Sequence, residues 1–170
     1  KSAFDHLEDV PGRRNILQAT YGLSSWGIGR IVKGVFEISG NSRYDDAITE
    51  RYHFPSNYIS IARDLTNDWI VYRETRIAGG RMAYIAAAFV ERIDADPGDA
   101  GHYYARVSDY LEFDQPVSYR DEGGRFAERF LREMARPGDA GRPLRGKSVR
   151  PLDNEDFVAI VNAGLAETLD

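Results

Sequence analysis

Short runs of alternating apolar and polar residues fill the middle of the chain, and glycine, proline and aspartate separate them. Runs of this kind predict strands joined by turns. The predicted strands cover residues 34–38, 69–74, 82–93, 103–107 and 117–119. Residues 94–101 are rich in Asp, Pro and Gly and predict a turn between two of these strands.

Helical spacing of apolar residues is confined to a few segments. Residues 125–136 place Phe126, Phe130, Leu131 and Met134 on one face, and Pro137-Gly138 ends the pattern. A last helix is predicted to begin after Asp153 and to end at Gly164. Asp45 or Asp46 caps a predicted short helix that runs towards Tyr52, and a further turn follows Pro55.

The order of these elements predicts the fold class. The strands cluster centrally with short connections, and no long helix separates 69–74, 82–93 and 103–107. Parallel βαβ units are therefore disfavoured. We predict an α+β domain with a small, curved, mostly antiparallel sheet or barrel and peripheral helices. Residues 34–170 form this domain, and residues 1–33 are an N-terminal extension of unclear structure, in which Ile16, Leu17 and Tyr21 could form one apolar helical face before glycines interrupt it.

Composition narrows the class of protein. A length of 170 residues suits one domain, and 42% hydrophobic residues argue against disorder. No cysteine is present, no run approaches the roughly 18 apolar residues of a membrane span, and no signal-peptide pattern opens the chain. We expect a soluble cytoplasmic protein. Because the sequence begins with Lys1 rather than Met, we expect a fragment or trimmed form.

Charge is unevenly distributed. The net charge of −5 argues against a uniformly basic nucleic-acid binder. Residues 120–150, however, hold nine basic residues against five acidic ones, whereas 151–170 hold five acidic residues and no basic one. Nearly all the basic residues are arginine, which suits phosphate and base-edge recognition. A coding bias towards arginine would give the same composition.

Metal-dependent or nucleophilic chemistry has little support. The histidines, at positions 6, 53 and 102, are too far apart for a metal-binding H-x-x-x-H pair. The acidic loop before His102 lacks the spacing of a calcium-binding loop. No G-x-S-x-G motif is present, and Asp45-Asp46 suits a helix cap or a carboxylate pair. The sequence therefore predicts neither a metal site nor a cofactor, and no catalytic residue.

Residues 141–148 have the residue spacing of a phosphate-binding loop. They match G-x-x-x-x-G-K-[ST], but bulky residues and Pro143 disturb the loop, no strand precedes it, and Pro151 blocks a following helix. The match is interpreted as coincidental. The segment still suits contacts to a phosphate backbone. The candidate residues are Arg142, Arg145, Lys147 and Arg150.

Aromatic residues gather before and within the 69–74 strand. They are Tyr44, Tyr52, Phe54, Trp69, Tyr72 and Tyr84. Rings of this kind fill the core of a barrel or line a pocket for a planar ligand. Alternation puts Trp69 and Tyr72 on opposite faces, so they do not share a pocket. Asp45, Asp46 and Arg73 are candidate readers of a ligand's edge, and Arg76 and Arg81 flank a loop suited to a duplex.

Several of these motifs together resemble a known group of proteins. The matching segments occur in order between residues 34 and 165. They are Ser42-x-Tyr44-Asp45-Asp46, Tyr52-x-Phe54-Pro55-x-x-Tyr58, residues 68–74, Gly80-Arg81-x-x-Tyr84, residues 95–97, 104–105, 110–117 and 148–151, and Phe157-x-x-Ile160-Val161-x-x-Gly164. This region resembles the N-terminal part of predicted bacterial HNH-type restriction endonucleases. One departure is Asn67, where the family usually has glycine.

The resemblance implies a DNA-reading domain of the PUA superfamily, which includes the SRA and EVE modules. Such domains flip a modified base into an aromatic-lined pocket. The implied partners are duplex DNA carrying a modified base and a C-terminal HNH nuclease domain. A homodimer is left open. Because residues 1–170 lack an HNH constellation, we expect this chain to read DNA without cutting it.

Two other functions compete with this interpretation. The chain could be a small hydrolase that uses Asp45 or Asp46, although no nearby base or metal is evident. It could also be a protein-interaction module whose acidic segment 151–170 docks a partner. Binding to DNA would separate these alternatives because it weakens steeply with salt.

Overall fold

A computed structural model describes residues 16, 33–39, 47–134, 144 and 146–165. A single mixed sheet of six strands curls into a half-barrel, and helices pack on both of its faces. This architecture confirms the predicted α+β class with a small curved sheet. None of the described helices is long and apolar enough to cross a membrane.

The sheet is built from strands of very unequal length. In chain order they are β1 (Lys33–Ile38), β2 (Arg51–Pro55), β3 (Trp69–Glu74), β4 (Ala83–Ala95), β5 (His102–Ser118) and β6 (Val149–Leu152). The helices are α1 (Ile59–Asp64), α2 (Arg129–Met134) and α3 (Asn154–Gly164), with single 3₁₀ turns at Ser56–Tyr58 and Ile77–Gly79.

Neighbouring strands follow the order β2-β5-β4-β3-β1-β6. Every pair is antiparallel except β1 with β3, which run parallel. The outer strands β2 and β6 have five and four residues, and each contains a proline, Pro55 or Pro151. The parallel pair brings Glu37 of β1 beside Arg73 of β3, which matters for the site described below.

Three of the predictions differ from the structure. The short strands predicted at 103–107 and 117–119 belong to the single 17-residue strand β5. Its charged residues lie on an exposed face, and it bends at Asp109, whose φ is +48°. Tyr52 lies within β2 and not at the end of a helix, because Arg51–Pro55 pairs with β5. The helix predicted to begin at residue 125 begins at Arg129 because residues 120–126 form a turn.

Irregular pairing bends the long strands. The register of β4 with β5 shifts at three places, and that of β3 with β4 shifts between Tyr72 and Arg73. Such bulges increase twist and bending, and they allow a six-stranded sheet to curl. The shift at Arg73 also changes the alternation of side chains that is regular from Trp69 to Tyr72.

Each face of the sheet has its own core. Ile70 and Tyr72 pack in one cluster with α1, whereas Trp69 and Val71 pack in a second cluster with α3. Trp69 and Tyr72 therefore point to opposite faces, as the alternation predicts. Where the end of α3 meets β5, close packing needs a small residue. A Cβ atom on Gly164 would lie 2.4 Å from the Phe113 ring, so glycine lets the end of α3 rest on β5.

Candidate functional site

A cleft of about 480 Å³ opens between the end of β5, the turn that follows it and helix α3. Its apolar lining comes from Val117, Phe126, Ala127, Ala159 and Ile160. Its charged lining comes from Arg120, Asp121, Arg125, Arg132 and Asp156. Ligand sites are commonly apolar hollows of this size with a few polar groups. Here three arginines face two aspartates.

The turn between Arg120 and Phe126 builds one wall of the cleft. Asp121 Oδ1 accepts the backbone N–H of Arg125 at 2.8 Å, and the two backbones bond at 2.9 Å. Gly124 supplies the positive φ of +80° that closes the turn. Arg120 and Phe126 thereby pair as an isolated bridge, which sets their side chains next to each other.

Arg120 forms a flat, charged platform on this wall. Its guanidinium carbon lies 4.2 Å from the centre of the Phe126 ring and 5.4 Å from that of Tyr119. Both contacts are cation–π interactions that fix the plane of the guanidinium. Its Nε is buried and makes no hydrogen bond within the described part of the chain. This side chain therefore keeps donor capacity for a ligand or for water.

Arg132 is committed to holding the cleft together. Its Nη1 donates to the carbonyls of Phe126 and Ala127 at 2.9 Å, and its Nη2 donates to Asp156 Oδ1 at 3.2 Å. Asp156 Oδ2 also accepts the backbone N–H of Arg129 at 2.6 Å. These bonds tie the turn and α2 to α3. Arg125, by contrast, is exposed and forms no ion pair with any described residue.

Behind the cleft, four charged side chains form a buried network. Arg150 donates to both carboxylate oxygens of Glu128 at 2.6 and 2.7 Å. It also donates to Glu37 Oε1 at 2.8 Å, and Arg73 donates to the same oxygen at 2.7 Å. Tyr84 completes the network by donating its hydroxyl to Glu128 at 2.6 Å. Two arginines and two glutamates balance in charge, as burial requires.

The network stabilises the charged form of Arg150. Burial acts to lower the pKa of Arg150, but the hydrogen bonds and charge of Glu128 and the charge of Glu37 raise it above its ordinary value. Arg73 connects the network to the cleft, since its guanidinium lies 4.8 Å from the Tyr119 ring. Tyr119 in turn contacts Phe126, with ring centres 5.7 Å apart. The network thus positions the rings behind Arg120.

Tyr84 gives the network a dependence on alkaline pH. Burial, reinforced by Glu128, raises the pKa of Tyr84 well above its ordinary value. In the unfolded chain the phenol ionises near pH 10. The stabilisation that the protonated Tyr84 gives to the folded state is therefore fully present below about pH 10 and is lost as pH rises further. We expect Tyr84→Phe to flatten the loss of unfolding free energy above about pH 10, measured by denaturant titration at each pH. Tyr103→Phe is the control. Equal slopes in Tyr84→Phe and the parent chain would contradict this role.

The rings predicted to line a base pocket lie in the core. Tyr52, Phe54, Trp69 and Tyr72 are each at most 4% exposed. Tyr52 stacks on Phe36 at 4.4 Å and donates its hydroxyl to the Glu37 carbonyl at 2.8 Å. These rings therefore present no free face to a ligand. The remaining predicted pocket residues, Tyr44, Asp45 and Asp46, lie outside the described residues.

The predicted phosphate contacts that the structure describes lie in different environments. Arg76 and Arg81 are exposed, and Arg81 pairs with Glu74 at 3.2 Å. Lys147 lies 5.2 Å from the Phe130 ring and is partly buried. Arg150 is 2% exposed within the network, so it does not reach the surface. Arg142 and Arg145 lie outside the described residues.

Sequence reasoning overlooked Arg120, Arg125 and Phe126 as a site. The available signal was the excess of arginine in residues 120–150, which begins at Arg120. The missing information was the turn that pairs Arg120 with Phe126. Arg73, which was predicted to read a ligand's edge, instead contacts Tyr119 behind the cleft.

Comparison with known proteins identifies the fold. No family model matches the chain, and no curated protein matches it in sequence. Several solved structures resemble it, among them the following three. Rpa0253 from Rhodopseudomonas palustris is 15% identical, with a TM-score of 0.54 over 79% of this chain and 93% of its own. Atu2648 from Agrobacterium tumefaciens is 15% identical, with a TM-score of 0.53 over 80% and 95%. The N-terminal domain of Staphylothermus marinus McrB is 12% identical, with a TM-score of 0.50 over 79% and 94%. At these identities the likeness is one of fold.

Proposed function

We propose that this chain is a DNA-binding domain that recognises a modified base, held in the Arg120–Phe126 cleft after it leaves the stack. The observation that most directly supports the proposal is the cleft itself. It offers a guanidinium plane on an aromatic ring, together with donors and acceptors around an apolar floor. Nucleobases stack on rings and on arginine planes, and their edges form hydrogen bonds with such groups.

Two further features support the same function. The half-barrel is similar in fold to the N-terminal domain of McrB. The motifs between residues 34 and 165 are interpreted as resembling the N-terminal region of HNH-type restriction endonucleases. In this proposal the domain belongs to the PUA superfamily, and a C-terminal HNH domain of the full-length protein cuts what the reader finds. The reader itself cuts nothing.

In this proposal, exposed basic side chains contact the phosphate backbone of the DNA. Arg125 lies at the cleft mouth, and Arg76 and Arg81 flank the turn after β3. Arg142, Arg145 and Lys147 remain predicted phosphate contacts. Arg73 and Arg150 act indirectly, because their buried ion pairs hold the wall of the cleft.

The competing interaction-module function has weaker support. Helix α3 carries Glu155 and Asp156 of the acidic segment, but its apolar residues Phe157, Ile160 and Val161 are already buried against the sheet. Asp156 is paired with Arg132. The helix therefore has little free apolar surface to offer a partner.

A binding titration tests the proposed function. Duplexes that differ at one central base (cytosine, 5-methylcytosine, 5-hydroxymethylcytosine, adenine or N6-methyladenine) are titrated by fluorescence anisotropy at 50 and 200 mM salt. We expect one modified duplex to bind more tightly than its unmodified match. Arg120→Ala should weaken that complex by about 5- to 150-fold, the value of one stacked base. Arg125→Ala should weaken all duplexes alike and reduce the salt slope by about one.

The matched control is Arg63→Ala. Arg63 is exposed on α1, and α1 packs on the face of the sheet opposite to α3. The substitution should therefore leave both affinity and preference unchanged. The proposal fails if no duplex is preferred, or if Arg120→Ala and Arg63→Ala behave alike. Tighter binding to single-stranded RNA of the same sequence would redirect the proposal to RNA.

A further inference from the structure

A second cluster of titratable side chains lies at the other end of β5, where the β4–β5 turn meets β2. His53 lies in β2, Asp96 and Asp99 lie in the turn, and His102 begins β5. The pairing of β2 with β5 sets His53 opposite Tyr104 and diagonal to His102. The two imidazole rings consequently stack with centres 5.0 Å apart. Residues 49 positions apart thus form one side of a small polar site.

The donor atoms of this cluster converge. His53 Nε2 lies 2.8 Å from Asp96 Oδ2, and the ligand atoms of His53, Asp96 and Asp99 all lie within 4.8 Å of one another. The Asp96 carboxylate is oriented by the Gly98 N–H, which donates to Oδ1 at 2.8 Å. This bond leaves Oδ2 directed at His53.

His102 extends the cluster. Its Nδ1 is inaccessible to solvent and lies 3.0 Å from Asp99 Oδ2, yet it makes no hydrogen bond of normal geometry with any described residue. Buried polar atoms in native proteins nearly always have a partner, and an ion or water is one explanation when the protein supplies none. His102 Nδ1 is therefore available as a further donor atom where β2 meets the β4–β5 turn.

The charges of the turn are also unbalanced at this place. Asp94 pairs with Arg92 and Arg106 at 3.3 and 3.0 Å. Asp96 and Asp99 form ion pairs with histidines alone among the described residues. Two carboxylates facing two imidazoles, without a lysine or arginine partner, are a donor set for a cation.

We propose that His53, Asp96 and Asp99, with His102 as the fourth ligand, bind a divalent transition-metal ion of the Zn²⁺ class. Mixed imidazole and carboxylate ligands suit Zn²⁺ and its neighbours better than Ca²⁺ or Mg²⁺, which prefer oxygen alone. Ligand atoms around a tetrahedral Zn²⁺ stand about 3.4 Å apart, given bonds of about 2.1 Å. The ligand atoms of His53, Asp96 and Asp99 already lie within 4.8 Å of one another, and His102 Nδ1 lies 3.0 Å from Asp99 Oδ2.

The metal would have a structural role. It would bind the edge strand β2 to the β4–β5 turn, because its ligands come from both. The site is separated from the Arg120–Phe126 cleft by the length of β5, with His102 first and Ser118 last. Its occupancy is therefore independent of the proposed DNA function, and either proposal can fail alone.

Calorimetric titration with Zn²⁺, after treatment with chelator, tests the site. We expect one saturable site, and a rise in melting temperature of about 5–10 °C at a hundredfold excess over the dissociation constant. Co²⁺ should give visible absorption bands that report imidazole and carboxylate ligation. His53→Asn and Asp96→Asn should abolish the saturable site, and His102→Asn should weaken it by at least about tenfold.

Two matched controls separate this site from adventitious binding. Asp94→Asn changes an acidic residue two positions from Asp96 that is paired with arginines, and His6→Asn removes the remaining histidine. Both should retain the site. Metal-free melting curves of every variant show whether it is folded. The proposal is overturned if the parent chain binds no Zn²⁺ above the His53→Asn level, or if His6→Asn alone removes binding.

Discussion

Replacing Arg150 with methionine should lower the free energy of unfolding by about 3–5 kcal/mol, the usual cost of breaking one side of a buried ion pair. Among the described residues, the substitution leaves the buried Glu128 carboxylate with the Tyr84 hydroxyl as its only partner, and it removes one of the two arginines on Glu37. In a domain of this size the melting temperature should fall by about 10 °C. Urea denaturation and thermal melting at pH 7 measure both quantities.

The control for Arg150→Met is the same change at Arg129. Arg129 is 64% exposed and pairs with Glu133 at 2.8 Å, so Arg129→Met should lower the free energy of unfolding far less than Arg150→Met does. Adding Glu128→Gln to Arg150→Met should recover part of the loss, since an amide needs no counter-charge and still accepts from Tyr84. A loss below about 1 kcal/mol for Arg150→Met would show that the network is not closed to solvent.

Truncating a core ring should have an effect of similar size. Tyr72→Ala is expected to cost about 3–5 kcal/mol, because Tyr72 is fully buried and contacts Phe36 and Tyr52 at ring separations of 6.1 and 6.2 Å. Discrimination between modified and unmodified DNA should persist in the folded fraction. Melting temperature and the binding ratio, measured together, separate a core ring from a pocket ring.

Ile77→Ala controls for loss of apolar surface as such. Ile77 is 68% exposed, and its truncation should change stability by less than about 0.5 kcal/mol. If Tyr72→Ala kept its melting temperature but lost preference for the modified base, Tyr72 would line the base pocket, as its sequence context predicts. Tyr44, outside the described residues, stays a predicted pocket ring, to which the same paired measurement applies.

Local pattern predicted elements well where one run of residues determines them. β3 follows from the apolar run at 69–74 bounded by Asp68, and α3 follows from the apolar spacing between Asp153 and Gly164. β5 was harder because bulges and exposed charges interrupt its alternation. The short strand β2 derives from pairing with β5, a contact that propensity in residues 51–55 does not reveal.

The candidate sites depend on contacts that are remote in sequence. Arg150 and Glu37 are 113 positions apart, so a count of basic residues in 120–150 could not distinguish a buried arginine from one facing solvent. His53 and Asp96 are 43 positions apart and meet only because β2 pairs beside the β4–β5 turn. The chemistry of each side chain follows from the sequence, but its contact partners depend on the register of the sheet.

The prolines of the outer strands have a consequence for how this domain can be joined to others. The Glu37 N–H donates to the Ser148 carbonyl at 2.8 Å, so Ser148 is a hydrogen-bonded position of β6. Bonded and non-bonded positions alternate along an antiparallel pair, and Pro151 lies three positions from Ser148, so its nitrogen points away from β1. The outer edge of β6 therefore lacks a backbone N–H donor at Pro151, where an added strand would need one. At the opposite edge of the sheet, β2 ends at Pro55. Edge-to-edge polymerisation is thereby discouraged. Another folded unit that is fused in tandem can therefore lie close to this domain without its strands pairing with the edge of this sheet.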